Sequence, residues 1–284
     1  MEDWINNNCT TEVQKRRIEM NQEKGASNWL SALPIKENGF SLNKQEFRDA
    51  IFLRYGITIR NLPQYCACHA EFSSDHAMIC KKGGFVSLRH NEVRDITGEM
   101  LNEVCKDVTL EPELIPLTGE KLKYKTSNTD ERARTDLSAR NFWIRGERAF
   151  FDIRVFDPVA PSYEERSLSA LHRMQEKDKN RRYAERIVNV EHGSFTPLVF
   201  TIAGGMGKQA LKFYDRLASM IAENRGQSKS VITSYIRCRL SFSLLRSAIL
   251  CLRGTRQQQR TSYTHLEDID IATAAQIGKL PNCN

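Results

Sequence analysis

Asp136 and Asp152 stand in two stretches that alternate polar and apolar residues, within ARTDLSARNFWIRGERAFFDIRV at 133–155. With a period of two, Phe151, Ile153 and Val155 share one face of the second stretch, and Phe150, Asp152, Arg154 and Phe156 share the other. In the first stretch Leu137 and Ala139 oppose Arg134, Asp136 and Ser138. If the two strands pair, both carboxylates can converge on one side. Two carboxylates on neighbouring strands suit Mg2+ or Mn2+, hard cations that take oxygen ligands and keep several waters. Such an ion activates water for attack on phosphorus and neutralises the charge that develops. The competing expectation is two surface aspartates paired with Arg134 and Arg154.

A second constellation precedes this one. Cys66, Cys68, His76 and Cys80 lie within a short stretch and offer the thiolate and imidazole donors that Zn2+ prefers in a closed tetrahedral structural site. Cysteines two apart can clasp a metal from a tight knuckle. His76 and Cys80, four apart, share one face of a helical turn. His69 is an alternative ligand. Away from the secretory pathway, clustered cysteines favour metal over disulfide.

The balance of 42 Lys and Arg against 35 Asp and Glu gives a net charge of +7, which favours an anionic partner, DNA first and RNA second. MEDWINNNCTTEVQKRR lacks the apolar core of a signal peptide. The expected location is therefore nuclear or cytoplasmic, not secreted, and the sequon Asn8-Cys9-Thr10 carries no meaning. LSFSLLRSAILCL is too short and, with Arg246, too charged to span a bilayer, so no membrane partner is expected.

The elements that must position these residues follow from periodicity and caps. Residues 1–24 read as a charged N-terminal helix or extension, exposed and loosely held. Residues 25–64 read as a helical linker region, in which Asn43 and Glu46 form a capping box and Gly56 stops the helix. Residues 65–84 hold the cysteine knuckle. In 85–254, Val93, Ile96, Met100, Leu101 and Val104 form a helical stripe, followed by a strand at VTLEPEL and a polar loop at 116–133. The two aspartate strands come next, then a charged helix at 163–187. VNVEHGSFTPLVFTI reads as strand, turn, strand, and two closing helices end at Gly254. Residues 255–284 read as a flexible tail. Within and after the last helix, Arg237, Arg239, Arg246, Arg253, Arg256 and Arg260 suggest a basic face toward a DNA backbone. GGMGKQ near 204–209 fails as a Walker loop, because Gln209 replaces the Ser or Thr. It reads as a strand-to-helix turn able to offer N–H groups to a phosphate.

The order of these features resembles the restriction-enzyme-like endonuclease domain of non-LTR retrotransposon polyproteins, within the PD-(D/E)xK nuclease superfamily. The resemblance rests on the knuckle at 66–80, RHNEVRD at 89–95, RTD at 134–136, DIRV at 152–155 and HRMQEKDKNRRY at 172–183, and covers roughly residues 25–255. It implies an α/β (α+β) fold: a PD-(D/E)xK-like mixed sheet flanked by helices, with an N-terminal zinc knuckle. The implied activity is Mg2+-dependent nicking of target DNA. No polymerase YxDD motif is present. The chain would thus be a piece detached from a reverse transcriptase region.

Two departures stand out. Thr135 replaces the proline before the first aspartate, and Arg154 stands where the superfamily has lysine. Arginine keeps its proton and cannot act as a base. The resemblance allows a lysine from the next helix, where His172, Lys179 and Tyr183 lie near one face and Lys177 lies off it. It implies Lys179 with Tyr183 beside it, and a further carboxylate from Glu92. Arg89, His90, Arg134 and Arg154 would face DNA, although Arg89 and His90 could equally cap local structure. The alternative readings are a decayed zinc-knuckle remnant that only binds nucleic acid, and a structural or regulatory protein reusing the fold.

Overall fold

The computed structural model describes residues 11–163 and 166–254. The expected tail at 255–284, with Arg256 and Arg260, lies outside the described residues, as do residues 1–10. Four strands form one mixed sheet in the order β1-β2-β3-β4. Strands β1 (Lys106–Leu110), β2 (Leu137–Arg140) and β3 (Arg148–Phe156) run antiparallel in sequence, and β4 (Ser194–Thr201) pairs parallel to β3. A parallel neighbour demands a crossover. Here it is helix α5, Leu168–Arg186.

β3 and β4 are buried along nearly their whole length, because helices cover both faces. On one face lie α4 (Phe85–Asn102), α6 (Lys208–Arg225) and the first half of α7 (Lys229–Arg253). Phe142, Phe151 and Phe213 meet there with ring centroids 4.6–5.3 Å apart. On the other face α5 covers Phe150 with Tyr183 and Ile187, and Phe156 with Leu171. Each such aromatic contributes about 1.5–3 kcal/mol by leaving water. The face that carries Asp152 is thus roofed by α5.

Before α4 come α1 (Glu12–Gln22), α2 (Lys44–Tyr55) and α3 (Ser74–Ile79). In α2 the capping box of Asn43 and Glu46 forms, and Gly56 closes the helix with φ 65°. The helix buries Ala50 but leaves Phe47 half exposed, edge-on to Trp29. α3 and the knuckle pack against the second half of α7 through Phe72, Met78 and Leu252. No helix among the described residues is long and apolar enough to cross a membrane.

Three expectations need correction. α1 is docked, not loosely held. Met20 and Arg17 are buried, Arg17 reaches Asp75 at 2.7 Å, and Asn21 donates to the Arg54 carbonyl at 3.1 Å. Its contacts are polar and specific, so a weak apolar stripe misrepresents them. The first strand expected in VNVEH is instead a π-helical turn, Ile187–Glu191, that continues α5 until His192 takes a left-handed φ of 51°. Ile187 packs under the helix, and that contact outweighs β propensity. β1 ends at Leu110, before Pro112, rather than running through VTLEPEL.

Candidate active site and metal cluster

The end of the β2–β3 ladder brings the aspartates together. Its last pair is Leu137 opposite Phe151, and Asp136 and Asp152 are the next residues on either side. There the regular pairing gives way: the Asp136 N–H donates to the Phe151 carbonyl at 3.1 Å, and the Ile153 N–H donates to the Asp136 side chain at Oδ2, 2.5 Å. His90, from the second turn of α4, meets Asp136 Oδ1 through Nε2 at 2.9 Å. Lys179, from α5, places its ammonium on Asp152 Oδ2. Tyr183 lies one turn beyond, its ring 5.9 Å from the Lys179 nitrogen.

The electrostatics separate the two acids. Burial raises the Asp136 carboxyl, but the His90 hydrogen bond and charge, the Ile153 N–H and Lys179 outweigh it and hold it below the usual carboxylate range. Asp152, 3 % exposed, is pushed up to about 6 by burial and then by the Asp136 charge, with Lys179 pulling the other way. Burial and then the Asp152 charge raise the Tyr183 hydroxyl. One acid is held ionised and its neighbour resists ionisation, the arrangement that a cation relieves.

Of the residues singled out in the sequence, the structure brings together Asp136, Asp152, Lys179, Tyr183 and His90. Of the others, Glu92 is two positions from His90, about 200° around α4. Arg89 is 2 % exposed and donates to the Met78 carbonyl at 3.1 Å, inside the protein rather than toward a phosphate. Arg134 is taken by Glu111 and Glu113. Arg154 is exposed on the rim of β3. Thr135 is buried, its hydroxyl 3.4 Å from the Leu137 carbonyl. His172 leaves the site altogether and binds Glu23 at 2.7 Å.

The basic face expected on the last helix is mostly spent internally. Arg239 holds Glu99, Arg246 donates to the Gly39 and Ser41 carbonyls, and Arg253 clasps Asp49. The Gly-rich turn is filled too. The Gln209 N–H at the start of α6 donates to Glu176 Oε1 at 2.8 Å, and a Cβ at Gly205 would collide with the Glu23 carboxylate. The α6 N-terminus therefore already has its anion.

Cys66, Cys68, His76 and Cys80 form a Cys3His cluster that could bind a metal such as zinc, with ligand atoms within 4.8 Å of one another. The Cys66–Cys80 and Cys68–Cys80 sulfurs are 3.7 and 3.8 Å apart. Zn–S bonds of about 2.3 Å at a tetrahedral angle set sulfurs about 3.8 Å apart. A tight hairpin supplies the first two cysteines: the Cys66 N–H donates to the Ala70 carbonyl and the His69 N–H to the Cys66 carbonyl. Ser73 caps α3, which carries His76 and ends at Cys80. His69 takes the left-handed position of the hairpin, φ 70°, and is exposed outside the cluster.

Two residues of the surroundings were not apparent from sequence. Asn128 sits in an aperiodic stretch whose only signal is an Asx turn, Asp130 N–H to Asn128 Oδ1 at 3.1 Å. Arg186 looks like any other arginine of a charged helix, yet it is fully buried. Set against known proteins, the chain matches no family model and no curated protein sequence.

Proposed function

We propose that this chain is a metal-dependent DNA endonuclease domain of the PD-(D/E)xK type, similar to those that accompany retroelement reverse transcriptases. One observation carries the reading. Asp136, half-buried just before β2, and the buried Asp152 of β3 lie beside the last β2–β3 pair, close enough for the Asp136 charge to act on Asp152, and Lys179 reaches Asp152 from the crossover helix. The element order helix, three antiparallel strands, helix, parallel strand supports it. Lys179 stands in for the lysine that Arg154 displaced from the strand. In this reading the Cys3His cluster holds a structural Zn2+, and Asp136 and Asp152 hold Mg2+ or Mn2+.

A bound divalent ion supplies Lewis acidity and lowers the pKa of water. The chain's own residues do the rest. His90 and the Ile153 N–H fix the Asp136 carboxylate in one orientation. Lys179 carries positive charge to the atoms beside Asp152, where it stabilises charge developing on a phosphate. Arg154, exposed at the rim, meets the DNA backbone.

Plasmid nicking with Mg2+ or Mn2+ tests the reading. Asp136→Ala and Asp152→Ala should each abolish nicking that the wild type performs. Nicking that survives both changes removes the proposed site. Salt-dependent DNA binding without nicking favours instead the zinc-knuckle binding remnant.

A further inference from the structure

The segment 111–136, between β1 and β2, contains no helix or strand. Ordered segments longer than about 15 residues without secondary structure are uncommon, and those that exist are usually functional. This one is bonded along its length to the end of α5, the helix that carries Lys179 and Tyr183. The Lys123 N–H donates to the Glu185 carboxylate at 2.8 Å, and the Asn128 N–H to the Arg182 carbonyl at 2.8 Å. The Ile115 N–H donates to Glu191 at 2.6 Å.

Arg186 sits at the centre of these contacts. It is fully buried, and its guanidinium donates to the carbonyls of Asn128, Asp130 and Ile115 at 2.9, 2.8 and 2.8 Å. Among the described residues no carboxylate pairs with it directly, and its Nε has no partner. Burying a guanidinium this way is expensive, and a well-packed apolar side chain would often stabilise the fold better. What the arginine adds is direction: three carbonyls of an aperiodic segment are held at one spot. The segment thereby lies against the end of the helix that carries Lys179 and Tyr183, with the Asn128 N–H on the Arg182 carbonyl.

We propose that Arg186 is a positioning residue. It clamps segment 111–136 onto the last turns of α5, so that the helix holds Lys179 and Tyr183 against Asp136 and Asp152. The clamp's role in nicking rests on the endonuclease reading; the clamp itself does not. Two variants separate the parts. Arg186→Met should raise hydrogen exchange in 111–136 and 181–186, open tryptic sites at Lys121, Lys123 and Lys125, and lower the nicking kcat by about 10- to 100-fold with little change in KM. Arg186→Lys should restore part of the protection and of the rate. Wild-type protection in Arg186→Met overturns the clamp, whether or not the protein nicks DNA. An opened segment with full kcat overturns the positioning role. Global unfolding of Arg186→Met shifts the decision to Arg186→Lys, where wild-type exchange together with wild-type kcat overturns the proposal and a partial loss of both supports it. Absence of nicking in the wild type removes the endonuclease reading, and exchange and proteolysis still decide the clamp.

Discussion

Arg89 and His90, consecutive on α4, serve opposite sides of the molecule. The Arg89 guanidinium holds the Met78 carbonyl of α3 at 3.1 Å, while His90 holds Asp136 at 2.9 Å. α3 is the short helix that carries His76 and leads to Cys80, so the cysteine cluster and the aspartate pair are anchored to one turn of one helix. Purified protein should therefore contain about one zinc per chain, and chelation should unfold 65–84 and lower the melting temperature. Metal content below about half an atom per chain, by elemental analysis, sinks the structural zinc.

Lys179 is the lysine that reaches Asp152. Lys179→Met should reduce nicking by roughly 100-fold or more, the scale of a lost acid–base or charge-stabilising group. Lys177→Met, exposed on the same helix, should leave the rate within about twofold, as surface changes usually do. Equal loss in the two variants would mean the helix contributes only general charge.

Asp157, at the end of β3, gives a pH signature. Burial pushes its carboxyl above the usual range and Asp75 adds to this, against the Val159 N–H, Arg17 and Arg89. The unfolded group titrates near about 3.9. The folded protein keeps the proton to higher pH, so stability falls as pH rises from the unfolded to the folded pKa. Asp157→Asn preserves an acceptor for the Val159 N–H, now at 3.0 Å from Asp157 Oδ1, and cannot ionise. The variant should gain stability over wild type at pH 7 and lose that advantage near pH 4. Urea melts at both pH values decide, and a pH-independent difference counts against the buried-carboxyl account.

Glu23 tethers α1 to the sheet. Its carboxylate meets His172 at 2.7 Å and the Thr201 hydroxyl at 3.2 Å. Glu23→Ala should cost about 1–3 kcal/mol, the penalty for stranding buried partners. Trypsin should then cut first within α1 at Lys15, Arg16 or Arg17. A melting curve identical to wild type would make the tether dispensable.

Much of the local structure was legible in the sequence because it is decided within a turn or two of chain. Asn43 and Glu46 cap α2 by contacts three residues apart. Cys66, Cys68, His76 and Cys80 gather through one hairpin and one helical turn. The stripe of Val93, Met100 and Leu101 is buried as its spacing requires. The fate of VNVEH was not legible, since a short apolar run suits a strand or a helix end, and only packing under Phe150 and Tyr183 distinguishes them.

The candidate site divides the same way. Alternation in the sequence by itself set Asp136 and Asp152 on the faces opposite Leu137 and Phe151, and helical spacing put Lys179 and Tyr183 on one face. Only the tertiary structure decided that the end of the β2–β3 ladder brings the two aspartates together, that α5 roofs the Asp152 face, and that His90 turns inward. It also decided which arginines matter. Arg89, Arg134, Arg154 and Arg186 are alike in one-dimensional pattern. The structure buries Arg89 on a carbonyl, ties Arg134 to Glu111 and Glu113, leaves Arg154 exposed and makes Arg186 a clamp. The physical reason is range. Caps, alternation and ligand spacing act between near neighbours, whereas a long cationic side chain takes whatever acceptors folding brings to it.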